Sequence, residues 1–205
     1  MSGLREYKKR HTRVTIATAA ARLFAERGFA AVTVDDVARA ATVSRQTVFN
    51  YFPSKESMVF DREAEIEAAL VAAVRDRAAG TSPAAAFHAH TRAFWLRLGR
   101  LLTQGPLPQG FWEIVTRTPA LRDHAEVINA RHARAVATEL ARERGLSPSD
   151  PVCHGLGRAL CGVNFALLVY GMDRLIAGNE PHRVIAETIV RAEQAYDLLE
   201  HGLGG

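Results

Sequence analysis

The stretch Val43-Ser44-Arg45-Gln46-Thr47-Val48-Phe49-Asn50-Tyr51-Phe52-Pro53 decides the reading of this chain. Ser44 is a good N-cap for a short helix, because its hydroxyl can accept from an otherwise unbonded N–H in the first turn. Pro53 ends that helix, since the residue before a proline avoids the helical region. Val48 and Phe52 stand at i and i+4 and, with Val43, form an apolar back. Arg45, Gln46, Phe49 and Asn50 fall on the other side. A helix built this way packs one face and offers the other to something outside the protein.

The segments upstream supply what it packs against. Ile16, Ala20, Leu23 and Phe24 lie at i, i+4, i+7 and i+8, the apolar stripe of a helix over about Thr12–Arg27. Gly28 follows as a left-handed cap, with Phe29 placed to fold back. A second helix starts at Thr33, where Thr33 and Asp36 resemble a capping box and Val34, Val37 and Ala38 form the buried face. After a break at Ala41-Thr42 comes the quoted helix. Ser54 then caps a long fourth helix running to about Arg77. Two short helices joined by a tight turn, with a third across them, make a helix-turn-helix.

The exposed side chains suit duplex DNA. Arg pairs bidentately with guanine O6/N7, and Gln or Asn with adenine N6/N7. Such a helix reads mainly with its N-terminal residues, which favours Arg45 and Gln46, with Ser44 at its start. Phe49 can pack on a thymine methyl; Asn50 stands a turn after Gln46. Thr47, Tyr51 and Lys55 suit phosphate oxygens, which position a protein without carrying sequence information. Thr33, at a helix N-terminus, offers donors to another phosphate. Charge agrees: Met1 to Lys55 holds ten Lys/Arg and four acids, a net +6, against −2 over the remainder. A basic segment on a slightly acidic body points to a polyanion partner for the first segment. Arg5, Lys8, Lys9 and Arg10 form a basic arm that can follow phosphates or enter a minor groove.

From Arg13 to Met58 the sequence resembles the N-terminal domain of the TetR family. The matching residues are Ala20, Leu23-Phe24, Glu26-Arg27-Gly28-Phe29, Thr33-Val34, Val37-Ala38, Ala40-Ala41, Val43-Ser44, Thr47 to Phe52 and Ser54-Lys55-Glu56. The family's turn usually carries Gly where Thr42 stands and Tyr where Phe49 stands. The first departure strains the turn; the second removes a hydroxyl that often reaches phosphate. The resemblance implies two domains, residues 1–55 for DNA and 56–205 for effector binding and dimerisation. It also implies a homodimeric repressor released from a palindromic operator by a small apolar or aromatic effector. A regulator whose second domain only dimerises or recruits a protein stands as the alternative.

The remainder reads as helices separated by Gly/Pro-rich breaks, about nine helices in all and no strand, an all-α chain. Phe87, Thr91, Phe94, Trp95, Leu98 and Leu102 make a stripe on one helix; Phe111 and Trp112 follow on a short one. Together with Ile128, His132, Asn164, Phe165 and Leu168 they are expected to line an effector cavity, with plain core packing as the competing account. In the family the last two helices, about Asp150–Ala177 and Pro181–His201, usually form the dimer interface. Gly155, Gly157, Gly162 and Gly171 inside the first of them need a packing reason, since each costs about 1 kcal/mol of helix propensity.

No phosphate loop, Gly-x-Ser-x-Gly or His-Glu-x-x-His appears, so no enzyme chemistry is read. The spacings of His88, His90, Cys153 and His154 make no metal site, and no cofactor is expected. Cys153 and Cys161, eight residues apart on one helix, read as free thiols. Met1–Thr15 lacks an apolar leader, and Ala159–Met172 is short for a bilayer. The expectation is a cytoplasmic protein without a membrane partner.

Overall fold

A computed structural model of the chain describes residues 2–103 and 109–202, with side chains from 6–103 and 112–202. The described residues form ten helices and no strand. These are α1 (Ser2–Arg27), α2 (Val34–Ala40), α3 (Arg45–Tyr51), α4 (Lys55–Val59), α5 (Glu63–Arg75), α6 (Pro83–Leu102), α7 (Gln109–Arg117), α8 (Pro119–Glu143), α9 (Pro151–Ile176) and α10 (Pro181–His201). They divide into two compact units, residues 1–62 with 108–124, and residues 63–107 with 125–205. The boundary at 55/56 expected from the sequence cuts into α4, whose Met58 is buried in the core of the first unit.

In that first unit the stripe of α1 (Ile16, Ala20, Leu23, Phe24) packs with Val37 and Ala38 of α2, Val48 of α3, and Phe52. Val115 of α7 and Leu121 of α8 join the same core. Burying side chains of this size contributes about 1.5–3 kcal/mol each, which is what stabilises helices as short as α2 and α3. The caps fall where the residues put them. Gly28 has φ +80°, and its N–H donates to the Phe24 carbonyl. Phe29 folds back to 5.1 Å between ring centroids with Phe24. Phe52 is extended (φ −136°, ψ 107°), as a residue before proline should be.

The helices differ from the sequence-based expectation at two places. Helix α1 begins at Ser2 rather than near Thr12, so Lys8, Lys9 and Arg10 are exposed on a helix and not on a loose arm. The single fourth helix is two, α4 and α5, with a turn over Phe60–Arg62. Arg13 marks that turn. Its guanidinium donates to the Tyr51 carbonyl (2.9 Å) and the Asp61 carbonyl (3.3 Å), and its Nε pairs with the Asp61 carboxylate at 2.7 Å. The same group lies 4.4 Å above the Phe52 ring. One arginine thus fastens the end of α3 to the turn that closes α4, across 38 and 48 residues of sequence.

Thr42, between α2 and α3, has φ +56°. A β-branched residue in the left-handed region pays roughly 1–2 kcal/mol that glycine does not. Thr42→Gly is therefore expected to raise unfolding free energy by about 1 kcal/mol, because the extra freedom of glycine in the unfolded chain takes back part of the relief. Urea titration checks it; an unchanged or lower midpoint would mean the turn is unstrained.

The second unit is built on a core from α5, α6, α8, α9 and α10, including Leu70, Phe87, Val136, Leu140, Leu160 and Tyr196. Cys153 and Cys161 are free and buried in it, and burial pushes the Cys161 thiol up to about 12, so it is an inert apolar filler at neutral pH. The glycines of α9 divide into two kinds. A Cβ on Gly157 would stand 2.4 Å from the Ala133 carbonyl oxygen of α8, and one on Gly171 would stand 2.1 Å from the Trp95 ring. Both therefore serve packing within the chain and not a contact between copies. Gly155 and Gly162 meet nothing within 4 Å.

Candidate nucleic-acid interface

Helix α3 carries its polar face outward: Ser44, Arg45, Gln46, Phe49 and Asn50 are exposed, while Val48 and Phe52 are wholly buried. The Ser44 hydroxyl accepts from the Thr47 N–H at 3.0 Å and shares a proton with the Thr47 hydroxyl at 2.8 Å. This cap fixes the first turn, and with it the direction of Arg45 and Gln46. The Arg45 guanidinium pairs with Asp35 of α2 at 3.0 Å and leans toward the Phe49 ring, 5.6 Å from its centroid. Both members of the Arg45–Asp35 pair are more than half exposed, and such pairs are worth at most about 1 kcal/mol. The pair aims the guanidinium without holding it back from a stronger acceptor. Gln46 donates its amide to Asn50 at 3.1 Å, one turn on. These two amides satisfy one another until something replaces the bond.

Two expected phosphate donors are already engaged. The Thr33 N–H and hydroxyl both donate to the Asp36 carboxylate (3.0 and 2.6 Å), while the hydroxyl accepts from the Asp36 N–H. Those bonds hold the Asp36 carboxyl below the usual carboxylate range. Lys55 donates to the carbonyls of Phe29 (2.7 Å) and Val32 (3.0 Å) and sits 4.1 Å from the centroid of the Phe29 ring. Its ammonium closes the loop between α1 and α2. Thr33 and Lys55 therefore build the reading head rather than extend from it. Thr47 and Tyr51 are half-buried beside the outer face. A cleft lined by Glu6, Tyr7, Lys9, Arg10, Arg13, Asn50 and Tyr51 runs from α1 to the end of α3. It joins the cations of α1 to the polar face of α3, a junction visible only once the helices are packed.

The residues expected around an effector are distributed unevenly. Phe87, Thr91, Trp95, Leu98, Ile128 and His132 are buried in the second unit, and Asn164, Phe165 and Leu168 are half-buried. Trp112 belongs to the first unit, on α7; the Phe111 side chain lies outside the described residues. The Thr91 hydroxyl donates to the Asn164 side-chain oxygen at 2.9 Å and lies 3.1 Å from the Tyr196 hydroxyl. Thr91 has one proton, so Tyr196 must donate to it: the order is Tyr196 to Thr91 to Asn164. Burial pushes the Tyr196 phenol above its ordinary range. Trp95 fills the notch at Gly171 and meets Phe94 edge-on at 5.5 Å. His132 stands apart from this group. Burial, with Arg131 beside it, lowers its imidazole to about 4, so it is neutral at pH 7.

Residues 16–61 match the family described as bacterial regulatory proteins, tetR family. The chain is 33% identical over 145 residues to the HTH-type transcriptional regulator TcmR of Streptomyces glaucescens, a match that covers 66% of this chain and 63% of that protein. It is 49% identical over 43 residues to the putative mycofactocin biosynthesis transcriptional regulator MftR of Mycobacterium tuberculosis, over 21% and 22% of the two chains. The matches thus span less than two thirds of the length of either curated relative. Thermus thermophilus FadR, a repressor crystallised with lauroyl-CoA, aligns over 94% of this chain and 95% of its own, with TM-score 0.56 and 27% identity. A regulator from Streptomyces coelicolor aligns over 91% of this chain and 94% of its own, with TM-score 0.52 and 23% identity, a likeness of fold.

Proposed function

We propose that the chain is a DNA-binding transcriptional regulator of the TetR family, a cytoplasmic homodimer that represses from a palindromic operator until a small apolar or aromatic effector releases it. The observation that carries the DNA reading is the exposed row Arg45, Gln46, Phe49 and Asn50 on a helix whose other side is buried, beside a cleft that holds Lys9 and Arg10. Base-edge donors and phosphate-seeking cations then lie on one unit.

Dimerisation is supported by α9. Val152, Gly155, Ala159, Gly162, Ala166 and Val169 recur at alternating spacings of three and four, and all are exposed or half-buried. That spacing is the narrow seam of helix-on-helix packing, with side chains small enough for close approach. By length and composition α9 could also cross a bilayer, with a mean hydropathy of 1.5 in its most apolar window. Its opposite side is packed into the second core through Cys153, Gly157, Leu160, Cys161 and Leu167, however, so a second copy of the same seam suits the uncovered side.

The effector is placed in the second unit, against Phe87, Trp95 and Leu98, with the Tyr196–Thr91–Asn164 chain as its polar anchor. The lauroyl-CoA bound by the Thermus thermophilus repressor makes a long-chain acyl-CoA the first compound to try. Trp95 is one of the two tryptophans of the chain and the one that lies in this unit, so its fluorescence reports binding. Operator DNA should weaken the affinity of a releasing compound by the factor with which the compound weakens DNA binding, typically about 5–150-fold. A compound that releases DNA yet leaves the tryptophan emission unchanged would contradict this placement.

A further inference from the structure

A second feature of the C-terminal unit points to inorganic chemistry. Glu63 and Glu67 stand one turn apart on α5, and His132 projects toward them from α8; one ligand atom from each lies within 4.8 Å of the other two. Both carboxylates are half-buried, and His132 is only 6% exposed. The Nε2 atom of His132 is buried and has no hydrogen-bond partner. Buried polar atoms are nearly always satisfied, so an orphaned imidazole nitrogen beside two carboxylates calls for an explanation. Two glutamates at i and i+4 repel. Arg131 pairs with Glu63, and among the described residues no cation is paired with Glu67.

We infer that Glu63, Glu67 and His132 form a binding site for a divalent transition-metal cation, three protein ligands with a further coordination position open. A cation would satisfy the imidazole lone pair and screen the two carboxylates at once. One nitrogen and two carboxylate oxygens suit Zn²⁺ and its neighbours better than Ca²⁺ or Mg²⁺, which favour all-oxygen shells. Metal–ligand bonds of about 2.0–2.2 Å place ligand atoms about 3.4 Å apart in a tetrahedral shell. Side-chain rotations of the order of 1 Å close the present triangle to that size. Helix α5 would be fastened to α8 by the metal. Glu63 would exchange its bond to Arg131 for the cation, or share it. Sequence reading finds no such site because His132 has no Cys or His at ligand spacing; its partners lie 65 and 69 positions upstream and are glutamates.

The inference is independent of where the effector binds. The test is titration of the full chain with Zn²⁺ alone against a competing chelator, together with thermal melting. One Zn²⁺ per chain is expected, with a raised melting temperature. Glu67→Gln, half-exposed and close in volume, should keep the fold by circular dichroism and weaken Zn²⁺ binding at least tenfold, abolishing the thermal shift. His132→Gln should do the same; should it fail to fold, Glu67→Gln decides. Absence of stoichiometric uptake, or a Glu67→Gln variant that binds as the wild type does, overturns the site. Operator affinity measured on the same samples keeps this failure distinct from a failure of the DNA reading.

Discussion

Gly157→Val is expected to lower the stability of the chain by about 3 kcal/mol or more, the largest effect of any single change considered. The Cβ of any residue there would stand 2.4 Å from the Ala133 carbonyl and 3.0 Å from both the Ala137 N and Cβ atoms. The first of these is backbone at the centre of α8, so it cannot rotate away. Two effects oppose. Removing a glycine from a helix interior gains about 1 kcal/mol of propensity. Forcing α8 and α9 apart loses contacts among Ala133, Val136, Leu140, Leu160 and Cys161, all buried in one core, and overpacking of this kind costs about 1–3 kcal/mol for a single extra carbon. The clash wins, so Gly157→Ala should already destabilise and valine should do so further. Urea unfolding of the three proteins decides it. An alanine variant as stable as the wild type would contradict the close approach of α8 and α9 at Gly157.

Arg45→Ala is expected to weaken binding to the specific site by about 1–3 kcal/mol, or 5- to 150-fold, with the loss concentrated at one base pair in each half-site. The guanidinium gives up little to reach a base. Its present partner, Asp35, is an exposed pair of small worth, whereas a bidentate bond to guanine O6/N7 is worth far more. Non-specific DNA should lose little, since one charge among many phosphate contacts has been removed. Competition assays with operator and random duplex, at one fixed salt concentration, measure both. Equal losses on the two DNAs would assign Arg45 to phosphate and not to a base.

The reading head was largely legible in the sequence because its determinants are local. The Ser44 and Thr33 caps, the Gly28 stop, the Phe52-Pro53 end and the i, i+4 stripe of α1 each act within a turn or two, and each stands where the spacing placed it. What the sequence concealed was set by distance. Nothing near Phe60 announces the break between α4 and α5; the bonds that accompany it come from Arg13, 48 residues upstream of Asp61. Lys55 looked like a phosphate contact because it is basic and follows the recognition helix, yet its ammonium closes the Phe29–Val32 loop. The glycines of α9 looked alike on paper. Only the positions of Ala133 and Trp95 separate Gly157 and Gly171, which the chain itself occupies, from Gly155 and Gly162, which it leaves open. The second unit was least legible, since a stripe of apolar residues reads the same whether it lines a cavity or fills a core.

The central claim is that two copies of this chain present α3 to one duplex. Selection of bound DNA from a randomised pool by the full-length protein tests it most directly. The account predicts enrichment of a two-fold-symmetric site whose half-sites are centred about 34–36 Å apart or a multiple of that spacing, with the enriched base pair opposite Arg45 lost in the Arg45→Ala variant. A pool that stays random, or an enriched site with no internal symmetry, would contradict it.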